Sequence, residues 1–378
     1  MLWGGSEALW YATALHAIQQ NDEIFVSVSK WDEVPHQIKL LQQKGIAVHF
    51  RKRTHDKYSF SERMLRIIQN RVPSLKQDYQ SIVAFKPDMV FISQAESFDF
   101  ALYHKRLYNL LMLNKISYSI VCHSIVQQYS YIPPKEIYPG AIEVFQNAKQ
   151  VFFVSKRQWQ LTERRLVRRL TNAQFTWNPL NLKPPQHPLP WIKGDIFQMA
   201  IVGSFFGHKG QDTAFEVLSE AQWKQRKWNL NIYGNGEGDK YLKDLAVFYG
   251  IQNQVIFHGH VSDIIKIWQQ NHILLIPSAQ EGLPISLTEA MACGRPAIVT
   301  DVGDNTELIN EDETGFIAAA PTTASFSKAM EKAWQKNDTW EQMGLNSFDL
   351  ISMRLNKTPE INLYDTLKNL AKKNAKEI

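Results

Sequence analysis

Short apolar and β-branched runs alternate with helical patterns along almost the whole chain, and this alternation limits the possible folds more than any other feature. It is typical of parallel sheets covered by helices, which predicts an α/β fold. The chain has 378 residues and so exceeds the size of one ordinary domain. We therefore expect two α/β domains, each of somewhat under about 200 residues.

The predicted strands fall into two series. The first comprises strands at 23–28, 47–50, 89–92, 117–121 and 151–154, with helices at 36–43 and 101–113 among those that separate them. The second comprises strands at 199–202, 230–233, 254–257, 273–276 and 297–300. An amphipathic helix is predicted near the end of the chain, at 359–373.

A proline-rich stretch between Pro179 and Trp191 separates the two series and has little apolar periodicity. Such a composition favours a stiff, exposed connection between domains. The expected organisation is an N-terminal domain, a linker, a C-terminal domain and a helical tail that packs back on the N-terminal domain. The corresponding ranges are 1–180, 181–195, 196–350 and 351–378.

The start of the chain departs from the usual order of a nucleotide-binding domain. In such domains the first strand delivers a glycine-rich turn to a helix, whereas here Gly4 and Gly5 come with almost no chain before them. Either the true start lies upstream, or the first sheet is built without that strand. We expect an upstream start, so that the first strand of the N-terminal domain is missing.

Composition excludes several classes of protein. No apolar run approaches the roughly eighteen residues of a membrane span, and the N-terminus lacks a signal-peptide pattern, so a cytoplasmic protein is expected. Cys122 and Cys293 lie in apolar contexts, which predicts buried thiols and argues against a disulfide or a zinc site. The net charge of +5 suits an anionic small molecule or a membrane surface. The basic residues do not alternate with aromatic ones in the way that indicates nucleic-acid binding.

The most informative segment, residues 281–296, reads EGLPISLTEAMACGRP. Proline is favoured at the first position of a helix and glycine just past its end, which predicts a helix at 284–293 with Leu283 as its N-cap. A leucine side chain cannot accept hydrogen bonds, so the N–H groups of Ile285 and Ser286 stay available. Free donors and the helix dipole together favour a phosphate at this end.

Two carboxylates flank the predicted helix start: Glu281 in the preceding loop and Glu289 within the helix. Carboxylates accept hydrogen bonds from hydroxyl groups and therefore suit a sugar or a ribose. The alternative is that both are solvated charges near a helix end.

The two glutamates, seven residues apart in the context EGLPISLTEAMACGRPAIVTDVGDNTELI, resemble the donor-site signature of glycosyltransferase family 4. That family contains retaining enzymes of the GT-B fold. The resemblance implies two Rossmann-like parallel-sheet domains facing a cleft. It also implies that Glu281 contacts hydroxyls of the donor sugar during catalysis and that Glu289 contacts the ribose.

Two further segments of the C-terminal half are similar to donor-binding segments of the family. Residues 203–210 resemble its phosphate-gripping loop, which implies that Gly203 and Lys209 contact the diphosphate; Ser204 occupies the position of an expected arginine. After the third strand of this half, the backbone near His260 and Val261 would contact the nucleobase. An ordinary exposed lysine is the alternative for Lys209.

Two features of the N-terminal half also match the family. Gly4 and Gly5 resemble its glycine loop, which faces the acceptor and the diphosphate, with Ser6 as the N-cap of the helix that follows. His123 ends an apolar strand, where α/β proteins present ligand-contacting side chains, and it matches a histidine held near the donor sugar. A plain turn and a structural histidine are the respective alternatives.

Two basic stretches remain, at 51–57 and 156–169. The second lies on a predicted helix with interleaved apolar residues. Contact with anionic lipid at the inner face of a membrane is one interpretation of this pattern, and a solvated helix face is the preferred one.

The function predicted from these residues is a retaining glycosyltransferase. It would move a hexose-type sugar from a nucleotide diphosphate sugar to a glycan or lipid-linked acceptor. No metal or other cofactor is expected, because no Asp-x-Asp pair occurs. Closure of the domains about the proline linker would exclude water from the donor.

Two alternatives stay open. A nucleotide-sugar epimerase would use two similar domains and need no acceptor, and a non-catalytic subunit would retain only the donor pocket. A dehydrogenase is disfavoured, since no complete dinucleotide fingerprint follows a first strand.

Overall fold

The protein is described by a computed structural model that covers residues 5–51, 79–125, 138–180, 182–355 and 358–377. Within these ranges the chain has the predicted α/β fold, in which parallel strands alternate with helices. The strands are β1 (Phe25–Ser29), β2 (Ala47–Arg51), β3 (Val90–Glu96), β4 (Tyr118–Ser124), β5 (Val151–Phe153), β6 (Ala173–Phe175), β7 (Phe197–Val202), β8 (Trp228–Tyr233), β9 (Val255–Gly259), β10 (Ile273–Ile276), β11 (Ala297–Thr300) and β12 (Gly315–Ala318).

The helices cover both faces of the sheets. They are α1 (Gly5–Gln19), α2 (His36–Gln43), α3 (Gln80–Phe85), α4 (Asp99–Tyr103), α5 (Lys105–Leu113), α6 (Tyr138–Asn147), α7 (Lys156–Leu166), α8 (Gln211–Leu218), α9 (Asp239–Phe248), α10 (Ile264–Gln269), α11 (Ile285–Ala292), α12 (Asn305–Leu308), α13 (Thr323–Gln335), α14 (Trp340–Leu355) and α15 (Pro359–Glu377).

The C-terminal sheet has the strand order β12-β11-β10-β7-β8-β9, and every pair in it is parallel. All residues of β10 and β11 are buried, because helices cover both faces of the sheet and the strands are apolar throughout. The winding direction reverses between β7 and β10. In sheets of this kind, ligands bind in the crevice outside the carboxyl ends of the strands at such a reversal.

The N-terminal domain contains two parallel sheets in its described part, β1-β2 and β3-β4-β5-β6. In the second, β4 lies between β3 and β5, with Val90 opposite Tyr118 and Ile120 opposite Val151. Helix α1 packs against β3 and also against α15 from the other end of the chain. The strand expected before the glycine turn is not among the described residues.

Several predicted elements need correction. The helix predicted at 101–113 is two helices, α4 and α5, because His104 leaves the helical region at φ −123°. The Tyr79 hydroxyl lies 2.7 Å from Nδ1 of His104 and holds the break. The short strands β6 and β12 were not predicted, and several others extend one to four residues beyond the predicted range. Cys122 and Cys293 are free and buried, as expected.

The described linker residues are exposed or partly exposed, but hydrogen bonds tie the second half of the linker to the C-terminal domain. Arg295 is fully buried and donates to the carbonyl oxygens of Leu189 and Pro190, at 3.1 and 2.8 Å. The N–H of Leu189 donates to the carbonyl of Cys293 at 3.1 Å. Trp191 then lies under the Arg295 guanidinium, 5.4 Å from its ring centroid. The second half of the linker is therefore part of the C-terminal domain.

One hydrophobic cluster is shared by the two domains. It contains Leu9, Val121 and Phe152 from the N-terminal half together with Leu287 and Val299 from the C-terminal half. Leu363 of the tail helix α15 belongs to the same cluster. The hydroxyl of Tyr364 donates to the Asp22 carboxylate at 2.8 Å, which also ties α15 to the end of α1. In the part of the chain that the structure describes, no helix is both long enough and apolar enough to cross a bilayer.

Candidate active site

The loop after β10 and helix α11 form the centre of the site. Helix α11 begins at Ile285, and its N-cap is Pro284, whose ψ of 118° is extended. The predicted N-cap, Leu283, is therefore one residue too early; its side chain is buried in the shared cluster. Proline has no side-chain acceptor, so the first amides of α11, at Ile285 and Ser286, still lack a side-chain cap.

Glu281 is buried in that loop and holds two polar partners. Its side chain is only 8% exposed. The Lys209 ammonium donates to both carboxylate oxygens, at 2.8 and 2.9 Å, and the Ser278 hydroxyl donates to Oε1 at 2.7 Å. The burial contradicts the alternative that Glu281 is a solvated charge. Lys209 is likewise not an ordinary exposed lysine, because its side chain is three-quarters buried in this pair.

The loop after β7 delivers Lys209 to this position. The aliphatic part of the Lys209 side chain lies over Gly203: a Cβ added to Gly203 would be 3.9 Å from Cδ and Cε of Lys209. Gly210 has φ +69°, and a Cβ on it would lie 2.1 Å from the Pro277 carbonyl oxygen, so only glycine fits. The side-chain Nε2 of Gln211 donates to the backbone carbonyl of Ser204 at 3.0 Å. The loops after β7 and β10 are thus interlocked.

Glu289 lies on α11 and is 3% exposed. It too is no solvated charge. It is the fifth residue of α11, which follows the Glu281 loop along the chain. Glu281 therefore precedes α11 and Glu289 lies within it, and that the two acids flank a bound anion stays a prediction.

His123 approaches the same loop from the N-terminal domain. It is the penultimate residue of β4 and is 7% exposed. Its Nε2 lies 3.0 Å from the Ser93 hydroxyl oxygen, and burial lowers the pKa of the imidazole to about 4, so the ring is neutral at pH 7. A Cβ on Gly282 would lie 2.0 Å from the His123 carbonyl oxygen. The structure therefore brings the backbones of Gly282 and His123 into contact across the domain boundary.

The remaining predicted residues lie at or near this edge. His260 and Val261 directly follow β9, so they lie at the carboxyl edge of the same sheet; His260 is exposed and Val261 packs against the shared cluster. Gly4 lies outside the described residues. Gly5 is the first residue of α1, so Ser6 is not the N-cap that was predicted; the Ser6 hydroxyl donates to Glu7 at 2.8 Å.

Sequence reasoning missed three polar residues that support the site: Ser278, Ser93 and Gln280. The Gln280 amide donates to Ser124 at 2.8 Å and to Glu96 at 2.7 Å, which connects the domains. The sequence signal for Ser278 and Gln280 is their place shortly after the buried strand β10, because ligands bind at the carboxyl ends of such strands.

The basic stretch on α7 is smaller than predicted. Lys156 pairs with Glu307 at 2.9 Å and Arg157 with Asp301 at 2.6 Å, so both side chains form ion pairs with the C-terminal domain. Arg165 is 8% exposed. The exposed arginines of this stretch are Arg164, Arg168 and Arg169, and the stretch at 52–57 lies outside the described residues.

Comparison with known proteins finds a similarity in the C-terminal half. Residues 191–349 match the family described as Glycosyl transferases group 1. We call these residues the group 1 domain after this similarity. The group 1 domain includes the Lys209 and Glu281 loops and helix α11, but the match covers less than half of the chain.

Curated relatives are similar over about a third of the chain. An uncharacterized glycosyltransferase of Haemophilus influenzae is 30% identical over 143 residues, which are 38% of this chain and 40% of the relative. The lipopolysaccharide core biosynthesis mannosyltransferase LpcC of Rhizobium leguminosarum bv. viciae is 30% identical over 128 residues, 32% of this chain and 36% of that protein. The chain thus matches well under two thirds of the length of these relatives.

Solved structures extend the similarity to the whole fold. Anabaena HepE in complex with UDP-glucose has a TM-score of 0.70 at 15% identity and covers 97% of this chain and 96% of its own. Sucrose-phosphate synthase from Thermosynechococcus elongatus has a TM-score of 0.68 at 14% identity, with 92% and 98% covered. The fold is therefore GT-B, with the group 1 domain as its second half.

A substitution at Gly282 tests the contact between the group 1 domain and β4. The side chain of Gly282→Ala would collide with the His123 backbone, so we expect the free energy of unfolding to fall by about 1–3 kcal/mol, a typical cost of overpacking. Urea unfolding measures it. Gly207→Ala is the matched control, because a Cβ there meets nothing within 4 Å. Equal stability of the two variants would contradict the contact.

Proposed function

We propose that this chain is a retaining glycosyltransferase that moves a hexose-type sugar from a nucleoside diphosphate sugar to a glycan or lipid-linked acceptor. The observation that carries the proposal is the buried pair of Lys209 and Glu281, held at the carboxyl edge of the sheet beside the backbone of His123. The group 1 domain and the similarity to HepE, which was solved with UDP-glucose, support a donor of this class.

Lys209 is suited to hold the diphosphate without leaving Glu281. An ammonium group has three donors, and two distances of 2.8 and 2.9 Å account for bonds to the carboxylate oxygens. A further N–H can then donate to a phosphate oxygen. The uncapped start of α11 supplies amide donors and the positive end of a helix dipole. These groups would stabilise the charge that develops on the leaving diphosphate, with no metal required.

The reaction requires no separate base. The bond between the anomeric carbon and the phosphate oxygen breaks, and the acceptor oxygen bonds to the same face of that carbon. The acceptor proton passes to the leaving phosphate oxygen. The low pKa of His123 keeps its imidazole neutral, so it can exchange a hydrogen bond with a sugar hydroxyl while carrying no charge. Glu281 would accept from hydroxyls of the donor sugar, and Glu289 from the ribose.

The acceptor would enter from the N-terminal domain, on the side of β4 and the start of α1. We place the reaction in the cytoplasm or at the inner face of a membrane. Arg164 on α7 and Arg168 just after it are exposed and support a contact with anionic lipid, whereas Arg169 pairs with Glu163 at 2.6 Å.

A second candidate is a subunit that binds the donor without turnover. Ser204 favours it, because the family's phosphate loop would have both an arginine and a lysine, and here Lys209 matches the lysine while Ser204 stands at the arginine position. The two functions differ in a simple measurement. Release of free nucleoside diphosphate in the presence of acceptor supports the enzyme, and donor binding without release supports the subunit.

The first experiment is a thermal-shift screen of uridine, guanosine and adenosine diphosphate sugars. At a concentration of about 100 times its dissociation constant, a bound donor adds roughly 2.7 kcal/mol to the free energy of unfolding. For domains of this size that is a rise in Tm of about 5–10 °C.

Glu289→Ala is expected to abolish the shift, because Glu289 is assigned to the ribose. Glu341→Ala is the control, since Glu341 is an exposed glutamate at the start of α14. A full shift in Glu289→Ala would contradict the assignment of the ribose to this residue.

A further inference from the structure

Asp304 joins the two domains at a point that lies outside the predicted site. It follows β11 and is 2% exposed. The Ser155 hydroxyl donates to Oδ1 at 2.7 Å, the backbone N–H of Lys156 to Oδ2 at 2.8 Å, and the N–H of Arg157 to Oδ1 at 3.2 Å. All three donors belong to the N-terminal domain. One carboxylate of the group 1 domain therefore has three hydrogen bonds from the opposite domain.

These donors are the start of helix α7. Ser155 is the N-cap of α7, and its Oγ also accepts from the N–H of Gln158 at 3.0 Å. The Asp304 carboxylate thus accepts from the N–H groups of Lys156 and Arg157, which the Ser155 side chain does not cap. A negative charge at this end of a helix is stabilised by the dipole, and charge-assisted hydrogen bonds to amides are among the stronger ones. Burial raises the pKa of the Asp304 carboxyl above its usual value, and the three hydrogen bonds offset only part of this rise.

The backbone of the same residue holds the donor loop. The N–H of Asp304 donates to the Gly282 carbonyl at 2.9 Å. Gly303 has φ +54° and packs against the backbone of this loop. A Cβ on Gly303 would lie 2.4 Å from the carbonyl oxygen of Gly282 and 2.6 Å from the carbonyl oxygen of Glu281. Glu281 is therefore connected through one short turn to a cap on α7.

We propose that Asp304 is a positioning residue that fixes the Glu281 loop relative to the strand end carrying His123. The Asp304 side chain caps α7, and Gln158 of α7 donates through Nε2 to the Ser124 carbonyl, next to His123, at 2.7 Å. The Asp304 backbone holds the Glu281 loop of its own domain. The inference deepens the proposed function and rests on it for the effect on rate. The nearby pairs Arg157–Asp301 and Lys156–Glu307 are more exposed, so they contribute less.

Hydrogen exchange in the ligand-free protein tests the connection. In Asp304→Ala, we expect exchange of the Lys156 and Arg157 amides to accelerate about tenfold or more. We also expect faster exchange in residues 279–284 and 121–124, because the loop and the strand end would lose their mutual restraint. Asp301→Ala is the control, since it removes an exposed partner of the Arg157 guanidinium and leaves the amides capped. Acceleration confined to the start of α7 would overturn the positioning role.

Steady-state kinetics with the donor found in the screen test the consequence. The donor is assigned to the group 1 domain, so its KM is expected to stay within about threefold, while kcat falls about tenfold through misplacement of Glu281 and His123. Asp304→Asn keeps one oxygen that can accept from an amide, and it is expected to be intermediate. This variant also covers the case in which Asp304→Ala does not fold.

Two kinetic outcomes oppose the proposal: an unchanged kcat per folded molecule, or a raised KM with an unchanged kcat. The second would indicate a contribution to donor binding alone. If the wild type neither binds nor turns over any donor, the proposed function fails. In that case the hydrogen-exchange rates of residues 279–284 and 121–124 alone support or overturn the positioning role.

Discussion

Glu281→Gln is expected to lower kcat by a factor of about 10²–10³, the usual loss when a preorganised polar group of an active site is removed. Glutamine keeps the size of the side chain but removes the negative charge that Lys209 and Ser278 now contact at 2.7 to 2.9 Å. In this buried place, Lys209 would face a neutral amide with a single oxygen. Both the donor-sugar contact and the orientation of Lys209 would be lost.

The measurement is kcat at saturating donor, with donor binding followed separately by thermal shift. Binding is expected to persist, because Glu289 and the start of α11 are unchanged. Glu237→Gln is the matched control, since Glu237 is exposed in the loop after β8 at the same edge of the sheet. A rate within about twofold of wild type for Glu281→Gln would sink the catalytic assignment.

The pair can also be tested as a unit. If Lys209 acts mainly through Glu281, then Lys209→Met and Glu281→Gln are strongly non-additive, and the double variant is little worse than the more damaging single one. Additive losses would instead indicate that the two side chains act independently on the substrate.

Arg295→Met is expected to destabilise the group 1 domain by about 3–5 kcal/mol, because several buried carbonyls lose their donor at once. Nε of Arg295 donates to the carbonyls of Asn271 at 2.8 Å and Trp268 at 3.0 Å, in addition to the two linker carbonyls. Burial lowers the pKa of the guanidinium to about 10, which still leaves it charged at neutral pH. Its charge is balanced by carbonyl dipoles and by the face of Trp191.

Thermal unfolding measures this loss, which corresponds to a fall in Tm of roughly 10 °C for a domain of this size. Arg295→Lys keeps the charge but has fewer donors, so an intermediate value is expected. Lys328→Met serves as the control for loss of a cation, because Lys328 is exposed on α13. A Tm for Arg295→Met equal to that of the control would show that the carbonyls find other partners.

The sequence predicted the fold best where local signals were strong. Strands β10 and β11 have the predicted bounds, since each is a short apolar run with clear ends. Strand β6 has three residues, one of them an exposed glutamine, and β12 begins with a glycine, so neither carries a strand pattern. The helix start at Pro284 was displaced by one residue because proline there serves as the cap.

The sequence indicated individual candidate residues of the site but not the contacts between them. The sequence placed Lys209 and Glu281 in separate roles, whereas they form one ion pair across 72 positions. Asp304 gave no signal, because its partner Ser155 lies 149 positions away and an aspartate after a strand has many possible uses. Such contacts depend on how two domains meet, which no local periodicity encodes.

The hydrophobic cluster shared by Val121, Phe152, Leu287 and Leu363 has a consequence for the evolution of this protein. Neither half can be replaced by that of a distant relative without presenting mismatched apolar surface where the two halves meet. Under the proposed function, changes in acceptor preference are then easier to acquire in surface loops than by recombination of whole halves.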